Sequence, residues 1–244
     1  LRAVRTGHLD LVQLLLERDA DVNAVDKDEK TVLIRAVRMT RLDLAQLLVE
    51  KGANVNAETK FGGTALHVAV SGGYLEIAKL LMEKGADVTA KNKGGSTALH
   101  VAATVGYSAI VGLLLRQERV EVNATDNGGW TPLHWGASRG RPLPEQIQAG
   151  NHHAVVELLA THGADVTAED DEGWTPIHVA AVPGRDENGD LIEPDIGIIN
   201  YLLRETGADV NAKDKYGRTR IFFAGGKGQR QGLNVIYEPA GDKE

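Results

Sequence analysis

The sequence predicts an all-α solenoid built of paired short helices with β-hairpin-like turns between the units. Three observations lead there. One phrase occurs four times: Thr64-Ala65-Leu66-His67, Thr97-Ala98-Leu99-His100, Thr131-Pro132-Leu133-His134 and Thr175-Pro176-Ile177-His178. A second phrase closes the units: Ala20-Asp21-Val22-Asn23, Gly52-Ala53-Asn54-Val55-Asn56, Gly85-Ala86-Asp87-Val88, Gly163-Ala164-Asp165-Val166 and Gly207-Ala208-Asp209-Val210-Asn211. Between the phrases lie apolar runs with helical spacing that cover about two turns each, too short to stand alone in water. A single unit cannot bury its apolar face, so the units must stack.

Each unit reads in order. The Thr caps a first helix, and Pro132 and Pro176 sit where a helix start tolerates proline. A run such as Leu66, Val68, Ala69 follows, then a glycine at Gly73, Gly106, Gly140 or Gly184. The second run, such as Leu75, Ile77, Ala78, Leu80, Leu81, ends at Gly52, Gly85, Gly163 or Gly207, placed for a left-handed turn. Asp26, Asp126, Asp170 and Asp214 then precede turn-forming residues. Weaker copies of the first phrase stand at Thr31-Val32-Leu33-Ile34 and Thr219-Arg220-Ile221-Phe222, and the six threonines lie 33, 33, 34, 44 and 44 residues apart. These marks predict one domain, 1–244, of seven units: about 1–25 (truncated), 26–58, 59–91, 92–125, 126–169, 170–213 and 214–244. The last is degraded, since Gly225, Gly226 and Gly228 fall in its first helix and each costs about 1 kcal/mol of helix stability. The chain opens on Leu1 with no basic-then-apolar signal segment, and reads as a fragment of something longer.

The two phrases, in register over nearly the whole chain, resemble the ankyrin repeat family. The resemblance implies that His67, His100, His134 and His178 and their threonines tie turn to helix by hydrogen bonds. It implies that the position before the Thr faces a concave groove often used for contacts, and that Arg5 and Arg38 face that groove too. Asn23, Asn56, Asn123 and Asn211 each follow a leucine eight residues earlier, namely Leu15, Leu48, Leu115 and Leu203. Family members with this pattern are targets of asparaginyl hydroxylation in animal cells. The plainer reading, a turn asparagine bonding its own backbone, is preferred.

Composition excludes much of the rest. The 244 residues hold 27 Lys and Arg against 34 Asp and Glu, a net charge of −7, so no nucleic-acid partner is expected. With no cysteine there is no disulfide, thiolate catalysis or Cys-ligated metal. Gly94 to Leu115 is 22 residues without a charge, but its four glycines and its polar residues predict two short buried helices and no membrane span. The four repeated histidines lie in different layers, too far apart to share an ion, and adjacent His152-His153 point about 100° apart on a helix. Asp186-Glu187-Asn188-Gly189-Asp190 starts like a calcium loop, yet Leu191 and Gly197 stand where Gly and Glu are needed, so a solvated acidic loop is expected. No Ser/His/Asp set, phosphate loop or carboxylate pair is found. No metal and no cofactor are expected.

Function is sought where units depart from their consensus. The fifth and sixth carry 11 extra residues each between their helices, about Arg141 to Asn151 and Arg185 to Asp195. The same two units carry Trp130 and Trp174 before the Thr, where others have Lys30, Gly63, Ser96 and Arg218. Contact with a partner and packing on the next hairpin are weighed equally for these two. Trp135 replaces Val68, Val101 and Val179 beside Gly136, which reads as a repacked core. Residues 170–213 hold ten acids and three bases, the charge of the whole chain, while Arg2, Arg5, Arg35 and Arg38 gather at the other end. Such a field would steer a partner with a basic segment. The expected contact set is Trp130, Trp174, Arg38, Arg139, Glu187 and Asp190. The expected function is a non-catalytic scaffold binding a partner protein through the groove and the long loops of units five and six. It is expected to be a monomer, intracellular and cytoplasmic, with nucleus or secreted effector kept open. The alternative is a regulatory segment of a larger enzyme, channel or signalling protein; an enzyme in its own right is the third reading.

Overall fold

The computed structural model describes residues 2–138, 151–182, 184–185, 191–192, 194–209 and 211–219. The fold class is an all-α repeat solenoid. Its helices come in pairs: α1 Arg2–Thr6 with α2 Leu9–Leu16, α3 Val32–Arg38 with α4 Leu42–Glu50, α5 Ala65–Ser71 with α6 Leu75–Glu83, and α7 Ala98–Val105 with α8 Ser108–Leu115. Then follow α9 Pro132–Ala137 with α10 His152–Thr161, and α11 Pro176–Ala181 with α12 Ile196–Arg204. The uncharged stretch is therefore two helices, α7 and α8, and no helix among the described residues is long and apolar enough to cross a membrane. Within the sixth repeat's insertion two short strands, β1 Gly184–Arg185 and β2 Leu191–Ile192, pair antiparallel.

The chain forms two compact bodies, one of Leu1–Ala102 with Gly112–Glu121, the other of Ala103–Val111 with Val122–Glu244. In the first, α3 packs on α4 and α5, and α4 packs on α2 and α6. Leu33, Ile34, Leu44, Leu48, Leu66 and Leu81 fill its core, each burial contributing roughly 1.5–3 kcal/mol. Leu11 and Leu15 stand in α2 where Leu44 and Leu48 stand in α4, yet each is 43% exposed. In the second body α9 packs on α10 and α11, and α12 on both of those, around Leu133, Val155, Leu159, Ile198 and Leu202.

Each first helix starts as its phrase predicts. The backbone N–H groups of Thr64, Thr97, Thr131 and Thr175 donate to Nδ1 of His67, His100, His134 and His178 at 3.1–3.3 Å. Thr31, which has Ile34 in place of histidine, caps α3 by accepting from the Ile34 N–H at 3.2 Å.

The turns are also as expected. In each, the first residue accepts a backbone bond from the residue three ahead and donates one to the carbonyl four ahead, as in Gly129 N to Asp126 O at 3.1 Å and Asp126 N to Trp130 O at 2.9 Å. The fourth residue has a left-handed backbone, and a Cβ at Gly129 would meet the Asp171 backbone nitrogen at 2.8 Å. The turns bond edge to edge: Lys93 N to Phe61 O in the first body, Asp171 N to Gly128 O and Lys215 N to Glu172 O in the second.

The closing asparagines differ from expectation. Asn23, Asn56 and Asn123 bind the backbone of the next repeat. The Asn56 side-chain oxygen accepts from Asp87 N at 2.7 Å and its amide donates to Gly85 O at 3.0 Å. Asn123 does the same with Asp165 N and Gly163 O, and Asn23 accepts from Asn54 N. The residue two places earlier takes the local bond instead, as Asp21 accepts from Asn23 N, which frees the amide to reach across.

Candidate protein-binding surface

The surface is built on the turn carboxylates. Asp126 Oδ1 accepts two backbone bonds, from Gly128 N at 2.9 Å and Trp130 N at 3.0 Å. Asp170 Oδ1 repeats this with Glu172 N and Trp174 N, both at 2.8 Å. Asp214 does so with Tyr216 N and Arg218 N, both at 2.9 Å. Oδ2 of each is left to face a side chain. For Asp126 the donor is the Trp135 indole at 2.8 Å. For Asp170 it is the Trp130 indole, from the preceding repeat, at 2.8 Å. For Asp214 it is Arg218 Nε at 2.6 Å.

Trp130 and Trp174 meet at one carboxylate. Asp170 takes the side chain of the first and the backbone of the second. Both rings are half-buried. The Trp130 ring lies 4.7 Å from that of Trp135, tilted by 54°, and 5.9 Å from that of His134. Trp174 lies 6.5 Å from His178. Trp130 thus braces the next hairpin and also presents apolar area. Trp135 is half-buried, not a core residue as its small neighbour suggested. Its backbone position puts the ring over the turn, while the space beside Gly136 is taken up by Val155 and Val156. The spacing that could have revealed this is Asp26 to Arg35, repeated as Asp126 to Trp135.

The histidines fix the layers. Because Thr131 N–H donates to Nδ1 of His134, the proton sits on Nε2, which donates to Trp174 O at 2.9 Å. His67 reaches Ser96 O at 3.0 Å and His178 reaches Ala212 O at 2.9 Å in the same way. Burial lowers the pKa of His67 and His134, only partly offset by those carbonyl bonds. His152 bonds Thr104 O at 3.0 Å and His153 lies against the Tyr201 ring. Among the described residues no group of three or more His, Asp or Glu is arranged to hold a metal.

Arg38 lies exposed at the end of α3 in the first body. Arg35, counted as part of the basic end, spends its charge on Asp26, with Nε at 2.7 Å from Oδ2. Burial opposes ionisation of Asp26, but the Lys30 N–H, Arg35 and the Asp28 N–H outweigh it and hold the carboxyl at about 2. Arg139, Glu187 and Asp190 lie outside the described residues, as do the Asp186–Asp190 acidic loop and the glycines 225, 226 and 228. At the hairpin tips Phe61 and Tyr216 are each 63% exposed. Lys60 sits over the Phe61 ring at 5.0 Å, and Lys215 and Arg218 over the Tyr216 ring at 5.4 and 4.7 Å.

Two family models match the chain. One, ankyrin repeats (3 copies), covers residues 1–92 and 142–214. The other, ankyrin repeats (many copies), covers residues 84–134. No curated protein matches it.

Proposed function

The chain belongs to the ankyrin repeat family, and from that premise we propose that it is a protein-binding scaffold whose specific surface lies on the fifth and sixth repeats. Ankyrin repeats generally mediate protein–protein interaction and are typically non-catalytic. The observation that carries the narrower reading is that two turn carboxylates hold all three tryptophans: Asp126 takes the Trp135 indole, and Asp170 takes the Trp130 indole and the Trp174 backbone N–H. Elsewhere the same places hold Lys30, Gly63 and Ser96, or Arg35, Val68 and Val101. Large rings of few rotamers are favoured interface anchors. The two 11-residue insertions of the same repeats, and Arg139, Glu187 and Asp190, are proposed as further contacts, and the acidic sixth repeat favours a basic partner segment. Arg38, exposed in the first body, is proposed as a separate contact.

The test uses substitutions the chain already tolerates. Trp130→Ser and Trp174→Ser, each scored by calorimetry against a purified partner, should weaken binding by roughly 2 kcal/mol or more while unfolding stays cooperative. Lower melting temperatures with unchanged affinity of the folded fraction would assign the tryptophans to hairpin bracing alone, and the surface would be withdrawn.

A further inference from the structure

We infer that the outer face of Trp135 is a seat for the ammonium of a lysine side chain from a basic partner segment; this rests on the proposal that the fifth and sixth repeats bind a protein. The indole plane is fixed from two sides. Its N–H is held by Asp126 at 2.8 Å, and the Trp130 ring closes on it at 4.7 Å and 54°. A ring held in this way presents its negative π face without losing rotamer freedom on binding. Each indole N–H donates to a carboxylate at the ring edge, Trp135 to Asp126 and Trp130 to Asp170, which pushes electron density into the rings. The potential on the outward face is therefore doubly negative in origin, from the quadrupole and from two anions.

The chain shows what such rings do when a cation is near. Phe61 and Tyr216 each carry a lysine over the ring. Among the described residues no cation lies over Trp135, although it is half-buried, its indole is bonded to the Asp126 carboxylate and its ring lies against Trp130. Phe61 and Tyr216 use lysines of their own hairpins, Lys60 and Lys215. The fifth repeat has Asn127, Gly128 and Gly129 in its turn and so supplies no lysine of its own. A lysine from outside completes the arrangement.

The experiment is calorimetric titration of the full chain with a synthetic peptide of alternating lysine and serine, and with the same peptide acetylated on every lysine. Trp135→Val and Trp135→Phe are titrated alongside. Valine occupies this place in Val68, Val101 and Val179, so the fold has a precedent for it. The valine variant changes no charge, so general attraction of a basic peptide to an acidic chain predicts equal binding. The seat predicts about five-fold or greater loss in Trp135→Val, a smaller loss in Trp135→Phe, which keeps a π face but not the bond to Asp126, and loss on acetylation. Equal binding by wild type and Trp135→Val overturns the inference. So does equal binding of the lysine and acetyl-lysine peptides. A protein partner that loses affinity with Trp130→Ser or Trp174→Ser but not with Trp135→Val keeps the proposed function and removes this seat. A partner indifferent to all three removes both.

Discussion

In the second repeat the turn carboxylate of Asp26 takes two backbone N–H groups, from Asp28 and Lys30, and then the guanidinium of Arg35. In the fifth repeat Asp126 takes the N–H groups of Gly128 and Trp130, and then the indole of Trp135. Arg35 and Trp135 stand nine residues after their aspartates. The comparison separates what the repeat requires from what it leaves free. The two backbone bonds organise the turn, and the third donor is a choice. With arginine the place is charged and its charge is spent; with tryptophan the same anchor leaves an apolar ring beside an uncompensated carboxylate. One framework thus yields a charge-paired turn in one region and a turn faced by aromatic rings in another.

The largest expected effect breaks the shared part. Asp126→Ala strands two turn N–H groups and one indole N–H, and should cost about 3 kcal/mol in urea unfolding. Asp126→Asn should cost only about 1 kcal/mol, because Asn92 already fills this place and accepts from Gly94 N and Ser96 N. Near-equal losses from the two would show that the carboxylate charge, rather than the Oδ1 geometry, holds the turn.

The next effect separates histidine from carboxylate by pH. Folding lowers the pKa of His67 and His134 below the ordinary 6.5. The unfolded chain then binds protons first, so stability is full above pH 6.5 and falls as pH drops through 6.5 toward the lower folded values. Asp26 runs in another window: its carboxyl is held at about 2 against an ordinary 3.8, so its contribution is lost only below 3.8. His134→Ala should cost about 2 kcal/mol at pH 7.5 by removing buried bonds to Thr131 and Trp174. It should also lessen the decline in stability that begins below pH 6.5 while leaving the Asp26 contribution to the decline below 3.8 intact. A wild-type stability that stays level down to pH 4 would contradict the buried neutral state.

Sequence periodicity made the fold legible because each repeated residue does one local job. Thr64 and His67 lie three apart on one helix turn, and Gly52, Gly85, Gly163 and Gly207 all adopt positive φ where a helix must end. What crosses between repeats was harder to see. Nothing local in Asn56 indicates that its amide reaches Asp87 N and Gly85 O, about 30 residues away, or that the Trp130 indole reaches Asp170. The place of Trp135 is hidden for the same reason. Its neighbour Gly136 suggested a cavity to fill, whereas the ring's partner is a turn carboxylate nine residues earlier, which a spacing rule reveals only once Arg35 and Asp26 are compared. Of the candidate contacts, Trp130 and Trp174 share a carboxylate, and Arg38 is exposed on another helix in the first body.

The smallest expected effect is the sharpest test of the two donors. Arg35→Val and Trp135→Val each remove the third bond and leave both backbone bonds of the turn in place. Valine is already used at this place, so neither change forces a new shape on the helix. The indole bond is a neutral donor to a carboxylate plus ring packing, and its loss should cost about 1 kcal/mol with no dependence on salt. The Arg35 bond joins two opposite charges at a half-exposed site, so its loss should matter less as ions screen the pair. Stability of the three proteins measured at about 0.05 M and about 1 M salt would then show the Arg35→Val deficit shrinking and the Trp135→Val deficit constant. Two deficits that shrink in parallel would mean that the carboxylate acts on both donors as a bare charge. The distinction between a charge-paired turn and an aromatic one would then rest on ring area alone.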